Sequence, residues 1–262
     1  MIADPKFQNI LKSVGKPDLA IALHDNAQLL AGQASLKAGF VTANVDSVDI
    51  TLFGRGGHGA LPSQAVDPVV MASEVVLALQ TIASRRLPAG TKAVVTVGVM
   101  KAGSKRNIIP TSAELQLTIR SYEDKTRSRI LEEVERIVNG VAQAHGAPKP
   151  PKIYHHAKSY TPAGFNDPVL AQKLSPAFDR ALGPEAMIEV PESMVGEDFA
   201  EYSRRLDIPG VMFLLGTAQK EKEPKPGLHS DRFAPDIEPS LRAGINLSTE
   251  CLLEILKNER DN

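Results

Sequence analysis

Between residues 46 and 158 the spacing of apolar residues switches between two periods in an order that few folds accept. Asn44 to Phe53, NVDSVDITLF, reads as a strand marked by Val45, Val48, Ile50 and Leu52, with alternation clearest at its end. Pro68 to Ala83 reads as a helix, with Asp67 as N-cap and proline at the first helical position. Thr91–Met100 and Ala113–Ser121 are two further strands, Thr126–Ala144 an amphipathic helix, and Lys152–Lys158 a last strand. Strand, helix, strand, strand, helix, strand is the ferredoxin-like split βαβ order. Its helices would cover one face of an antiparallel sheet. The other face, or an edge, is then a candidate for contact with a second subunit.

The flanks follow a different rule. Phe7–Val14 has helical spacing, stopped by Gly15 and Pro17, and Asp18–Leu23 reads as a short buried strand ending at His24. After Ser159 come a helix at Asp167–Ala181, a short strand at Met187–Glu189 and a helix at Glu197–Arg205. A strand at Gly210–Leu215 and a long helix at Ser240–Lys257 complete the chain. Strands alternating with helices point to a mixed, mostly parallel sheet. The expectation is one α/β domain made of residues 1–45 and 159–262, with an α+β ferredoxin-like unit at 46–158 inserted into it.

Composition excludes several classes. A formal net charge of -1 over 262 residues gives no pull toward nucleic acid or an anionic membrane. The apolar runs are too short to span a bilayer, and the N-terminus does not read as a signal peptide. With the single cysteine Cys251 no intrachain disulfide forms, so a cytoplasmic location is the simple reading, with a periplasmic protein that lacks disulfides as the alternative. Cys251 shares a helix face with Leu247 and Ile255 and reads as core rather than nucleophile. There is no nucleophile elbow, P-loop or dinucleotide fingerprint.

Three of the six histidines sit in informative places. His24, followed by Asp25, is placed at a strand end, where a neutral imidazole suits a metal and a carboxylate can orient it; a capping histidine is the plain alternative. His58 lies in GRGGHGALP, whose glycines allow positive φ and close approach of a ligand, so its ring could face a developing oxyanion or be an ordinary loop histidine. His229 lies in the turn PKPGLHSDRF and has the same two readings. Asn107, between two strands, could donate an amide hydrogen bond, and Arg120, ending LQLTIR, could clamp a carboxylate or be a solvated sheet residue. Glu197 and Asp198 are paired acids at a predicted helix start, suited to the helix dipole. His155 and His156, adjacent on a strand, point to opposite faces and cannot easily chelate one metal.

As a set, these motifs resemble the aminoacylase-like metallopeptidases. They are ALHDN at 22–26, NVDSVDITLFGRGGHGALPSQAVDPVV at 44–70, GSKRNIIP at 103–110, LTIRSYED at 117–124, SMVGEDFAEY at 193–202 and GLHSDRF at 227–233. The branch holds hippurate hydrolases, N-acyl-amino-acid amidohydrolases and auxin-conjugate hydrolases. The resemblance implies a catalytic α/β domain with a ferredoxin-like dimerisation insert. It also implies a homodimer and hydrolysis of the amide of N-acyl amino acids or small peptides by two divalent metals (zinc, manganese, cobalt or nickel). It makes His24 and His229 metal ligands and His58 the satellite histidine that holds the oxyanion, in dimeric members at a partner's site. Asn107 and Arg120 become groups for the substrate's carboxylate end, and Gly56, Gly57 and Gly59 the turn that presents His58.

The family also carries an upstream His-x-Cys-Gly-His-Asp motif and a Glu-Glu pair, which supply the other ligands and the glutamate base. Here the first glutamate is Glu74 and the only cysteine is Cys251. The expectation is therefore a chain that begins inside the family's catalytic domain and is inactive alone. The alternative of a different class is a non-catalytic module that keeps the dimerising and carboxylate-binding surface.

Overall fold

The computed structural model describes residues 2–257. In chain order the first elements are α1 (Pro5–Val14), β1 (Ala20–Leu30), β2 (Ala34–Ser35), β3 (Gly39–Phe40), β4 (Asn44–Phe53), β5 (Gly57–His58) and α2 (Pro68–Thr81). Then come β6 (Ala93–Ala102), β7 (Ile108–Ile109), β8 (Ser112–Ser121), α3 (Asp124–Ala144), β9 (Lys152–His155) and β10 (Phe165–Asn166). The last four are α4 (Pro168–Leu182), α5 (Ala200–Leu206), β11 (Gly210–Ala218) and α6 (Ile237–Lys257). They gather into two compact units, one of residues 42–163 with 194–197, the other of 1–41, 164–193 and 198–262.

The 42–163 unit is an antiparallel sheet in the order β6-β8-β4-β9. Numbered within the unit this is 2-3-1-4, the ferredoxin-like order. Alternation decides its faces. On β4, Asp46, Val48, Ile50 and Leu52 point inward while Val45, Ser47, Asp49, Thr51 and Phe53 stay partly exposed. On β8, Ala113, Leu115, Leu117 and Ile119 do the same. Onto that face pack Met71, Val75 and Leu79 of α2 and Ile130, Val134 and Val138 of α3. Each such fully buried aliphatic side chain stabilises by about 1.5–3 kcal/mol relative to exposure. α2 starts where Asp67 accepts from the Val69 N–H at 2.8 Å, and past Thr81 its last turn widens to π geometry over Ile82–Arg86. The entry and exit of this unit lie side by side: Val45 and Thr161 exchange two backbone hydrogen bonds of 2.8 and 3.1 Å. Buried Asn44 fastens both ends, accepting from Tyr160 Oη and the Ala163 N–H and donating to the Tyr122 carbonyl.

The other unit has β11 at its centre, parallel to β1 on one side and antiparallel to β2 on the other. Val211, Phe213 and Leu215 of β11 face α4 and α6, meeting Leu174, Phe178, Ala243, Leu247 and Cys251. Phe178 and Phe213 meet edge to face, with centroids 5.1 Å apart. The Asn166 side chain bonds both the N–H and the carbonyl of Met212, at 2.8 Å each. Cys251 is 1% exposed, and burial pushes its thiol up to about 11. An alkylating reagent at pH 8 is expected to leave it untouched until the protein is denatured, a contrast that mass spectrometry of the alkylated chain would read.

Several sequence expectations need correction. β1 runs on to Leu30, so His24 lies within the strand rather than at its end; parallel pairing with β11 carries through to Asn26. Met187–Glu189 is no strand, because only Met187 makes an isolated bridge, to Ala34. The helix expected from Glu197 begins at Ala200. Glu197 and Asp198 therefore precede it, and Asp198 contributes its backbone carbonyl to the Glu201 N–H. The strand expected to Lys158 ends at His155, followed by a 3₁₀ turn.

Candidate active site

His58 is held by glycines that serve close packing. β5 pairs with β7, His58 opposite Ile108 and Gly57 opposite Ile109. The Gly59 N–H donates to the Asn107 carbonyl at 2.8 Å, and a Cβ on Gly59 would sit 3.1 Å from that carbonyl. A Cβ on Gly54 would lie 2.2 Å from the Val66 carbonyl oxygen, a clash that fixes the start of the loop. None of Gly54, Gly56, Gly57 and Gly59 has positive φ. Positive φ, which glycine allows, is thus not used in this loop, and its glycines serve close backbone approach instead.

The His58 ring is exposed, and its Nδ1 lies 3.0 Å from the Ala60 N–H. A backbone N–H only donates, so Nδ1 accepts and the neutral ring carries its proton on Nε2. His58 and Asn107 line one open cleft of about 890 Å³, floored by Gly54, Gly57, Ile109 and Pro148. This cleft presents an outward N–H donor on a braced turn.

Arg120 sits on β8 of the four-stranded sheet, at the end away from the His58 loop. Its guanidinium donates from Nε to Thr118 Oγ1 at 3.2 Å and from Nη1 to the Met194 carbonyl at 3.5 Å. Along β8 it is eight residues from Ser112, which pairs with Phe53 just before the His58 loop. At the strand rise that is roughly 26 Å. Within one unit the structure brings His58 and Asn107 together and keeps Arg120 apart.

His24 and His229 belong to the other unit. His24 Nδ1 lies 2.7 Å from the Asp25 carbonyl and 3.4 Å from the Asp25 carboxylate. Both partners accept, so the neutral ring has its proton on Nδ1 and its lone pair on Nε2, the form that ligates a metal. His229 is exposed and adopts φ 63, the left-handed region that side-chain-bearing residues rarely enter. The donor type suits a divalent metal, but the number does not: among the described residues no group of three or more His, Cys, Asp or Glu could hold one.

The sequence reading missed a charged pair. Asp46 occupies an inward position on β4, where it takes Arg127 Nε and Nη2 at 2.8 and 2.7 Å. Arg127 also lies 3.9 Å over the Tyr160 ring, and the Asp46 hydrogen bond raises its pKa. The available signal was register: a carboxylate in phase with Val48, Ile50 and Leu52 must be paired. His155 and His156 do split between faces, to Glu135 at 3.0 Å and Asp49 at 2.9 Å.

Comparison with known proteins adds several likenesses. Residues 42–145 match the peptidase dimerisation domain. The chain is 33% identical over 250 residues to an N-acetyldiaminopimelate deacetylase of Bacillus subtilis, covering 94% of this chain and 63% of that protein. It is 31% identical over 212 residues to an N-acetylcysteine deacetylase of the same organism, covering 81% and 54%. Among solved structures, it resembles a dinuclear metal-binding peptidase of the M20 family from Bacillus subtilis, with TM-score 0.69 and 25% identity over 95% of this chain and 59% of that one. The aminobenzoyl-glutamate utilization protein of Klebsiella pneumoniae shares the fold, with TM-score 0.65 at 18% identity over 94% and 57%. The chain spans less than two thirds of the length of these curated relatives. No helix among the described residues is long and apolar enough to cross a membrane.

Proposed function

We propose that this chain belongs to the M20 peptidase family and supplies the dimerisation domain and one part of the catalytic domain of a metal-dependent amidohydrolase. Its substrates would be small N-acyl amino acids, the class named in its deacetylase relatives. The observation that carries the reading is the His58 tautomer. A neutral imidazole pinned at Nδ1 offers a fixed Nε2–H to the oxygen that gains charge when an amide carbonyl is attacked. Asn107 beside it would hold the substrate in the same cleft. Arg120 is the candidate clamp for the substrate's carboxylate, presented with Gly57 and Gly59 shaping the opposite end.

A homodimer would reconcile the separation of Arg120 from His58. Two copies related by a two-fold axis perpendicular to the strands of this sheet would bring one copy's His58 end toward the other's Arg120 end. Two features support this reading: β6 is an edge strand of ten residues, and α2 exposes Val70 and Leu77, 54% and 72% accessible.

His24 and His229 are the candidate metal donors, through His24 Nε2 and an imidazole nitrogen of His229. A divalent metal there would lower the pKa of a bound water and polarise the amide carbonyl. Two donors fall short of a catalytic set, which favours a second reading: a non-catalytic, dimerising, carboxylate-binding module. Titration of zinc and manganese into the metal-free 262-residue chain separates them. Binding lost in His24→Ala and His229→Ala, with release of acyl group from N-acetyl amino acids, is the result expected of the enzyme. Binding no tighter than that of a surface histidine assigns this chain alone to the second reading.

A further inference from the structure

The cleft that holds His58 and Asn107 has one arginine in its wall, Arg55, and no acid. Arg55 is exposed but held by its backbone, whose N–H and carbonyl both bond Val66 at 2.9 Å. Its Nε donates to the Gln64 carbonyl at 3.2 Å, which fixes the side chain and leaves both terminal nitrogens for a ligand. The acid next along the chain from Val66 is Asp67, whose carboxylate caps α2 by accepting from the Val69 N–H at 2.8 Å. Among the described residues Arg55 has no carboxylate partner.

A second cation stands beside it. Pro148 lines the cleft and Lys149 follows it. The Lys149 ammonium sits 3.8 Å from the centroid of the Phe53 ring, and Phe53 directly precedes Gly54 of the cleft wall. Lys149 also has no carboxylate partner among the described residues. The turn before Asn107 adds Lys105 and Arg106, both exposed. This excess is local, since the whole chain carries a net charge of -1. It also differs from the helices, where Arg127, Arg180 and Arg242 each take a carboxylate. Charges of one sign around an open hollow repel one another and draw in an anion. A guanidinium with both terminal nitrogens open suits a carboxylate, which it grips with two parallel hydrogen bonds.

We propose that the His58 cleft selects ligands with a second carboxylate, beyond the one assigned to Arg120, and that Arg55 and Lys149 hold it. The ligand class is N-acyl amino acids whose acyl group or side chain ends in a carboxylate. Arg55 takes that carboxylate end-on through its terminal nitrogens. Lys149, resting on the Phe53 face, adds a point charge with less fixed geometry. The inference rests on the cleft being the site of an N-acyl amino acid, and not on turnover.

The test is binding to the 262-residue chain, read from the His58 ring-proton resonance, which is identified by its loss in His58→Ala. N-acetyl-L-alanine carries one carboxylate. N-acetyl-L-glutamate and N-succinyl-L-alanine carry two, with the second on the amino-acid side and on the acyl side respectively. At low ionic strength one or both of these are expected to bind about tenfold more tightly than N-acetyl-L-alanine. In about 0.5 M NaCl that advantage is expected to shrink to about twofold. Lys149→Met should cut it about threefold, and Arg55→Met should abolish it, with Arg55→Lys keeping part. Arg55→Met also removes the bond to Gln64. Lys149→Met disturbs no hydrogen bond of the loop, so it reads charge apart from loop folding. Equal affinities for the three probes overturn the inference and leave the amide reading standing. So does an advantage that survives both methionine variants. A loss in Arg55→Met that is the same for all three probes assigns Arg55 to the single carboxylate of any N-acyl amino acid and overturns it as well. If no N-acyl probe binds, glutarate and butyrate, which carry no amide, decide. Tighter binding of glutarate supports selection for a second carboxylate while the amide reading falls, and binding of neither overturns both.

Discussion

Replacing His58 with alanine is expected to lower the turnover of an N-acetyl amino acid about 10²–10³-fold, the usual loss for one oxyanion donor. The loss should fall on kcat, with KM little changed, because the donor meets full charge only in the transition state. Folding should not suffer: the ring is exposed, and its hydrogen bond to the Ala60 N–H is solvent-accessible. His58→Gln retains an N–H donor and is expected to recover part of the rate. An equal loss in kcat and melting temperature for both variants would make His58 a structural residue of the loop and remove the main support for the proposed chemistry.

The largest loss of stability is expected at Gly216. It stands in β11 opposite Asn26, where the β1–β11 register shifts between Asn26 and Leu30. A Cβ at Gly216 would lie 2.0 Å from the Leu30 carbonyl oxygen and 2.8 Å from its carbon. These are backbone atoms, so no rotamer change relieves the overlap. The Gly216 N–H is also committed, to the Gln33 carbonyl at 2.8 Å. Gly216→Ala should therefore cost about 3 kcal/mol or more, at the top of the range for overpacking. For a chain of this size that is a fall of roughly 10 °C in melting temperature. Gly227→Ala, with no atom within 4 Å of its added Cβ, is the matched control and should melt with the wild type. If Gly216→Ala melts within a degree or two of the control, the close passage of Leu30 over β11 is not as described.

The two halves of the molecule were unequally legible in the sequence. The inserted sheet was readable because its strands are covered on one face only. Alternation then survives, as in the Ala113, Leu115, Leu117, Ile119 series of β8. β1 carries no such signal. A strand lying parallel to its neighbour shows little alternation, and the polar run His24-Asp25-Asn26 in its middle looked like its end. Met187–Glu189 misled for the opposite reason, since its apolar residues cover Ala34 through a lone bridge without continuing as a strand. At the site, residue types and turn glycines marked His58 and Asn107, but the reason for the glycines was invisible. Gly59 faces the Asn107 backbone, some fifty residues on, and spacing cannot report a contact of that range. Asp46 was legible in principle, its phase with Val48 and Ile50 placing a carboxylate in the core, but its partner Arg127 comes from a helix 81 positions away.

The paired ends of the 42–163 unit have a consequence for how such chains change over generations. Entry and exit leave through adjacent backbone at Val45 and Thr161, with Asn44 tying both to Tyr122. A block of gene encoding residues 45–161 begins and ends on neighbouring backbone, so a short turn could close the gap that its loss would leave. The host half and the inserted half are then free to diverge at different rates. Lineages that alter one while keeping the other become the natural place to look for new pairings of old parts.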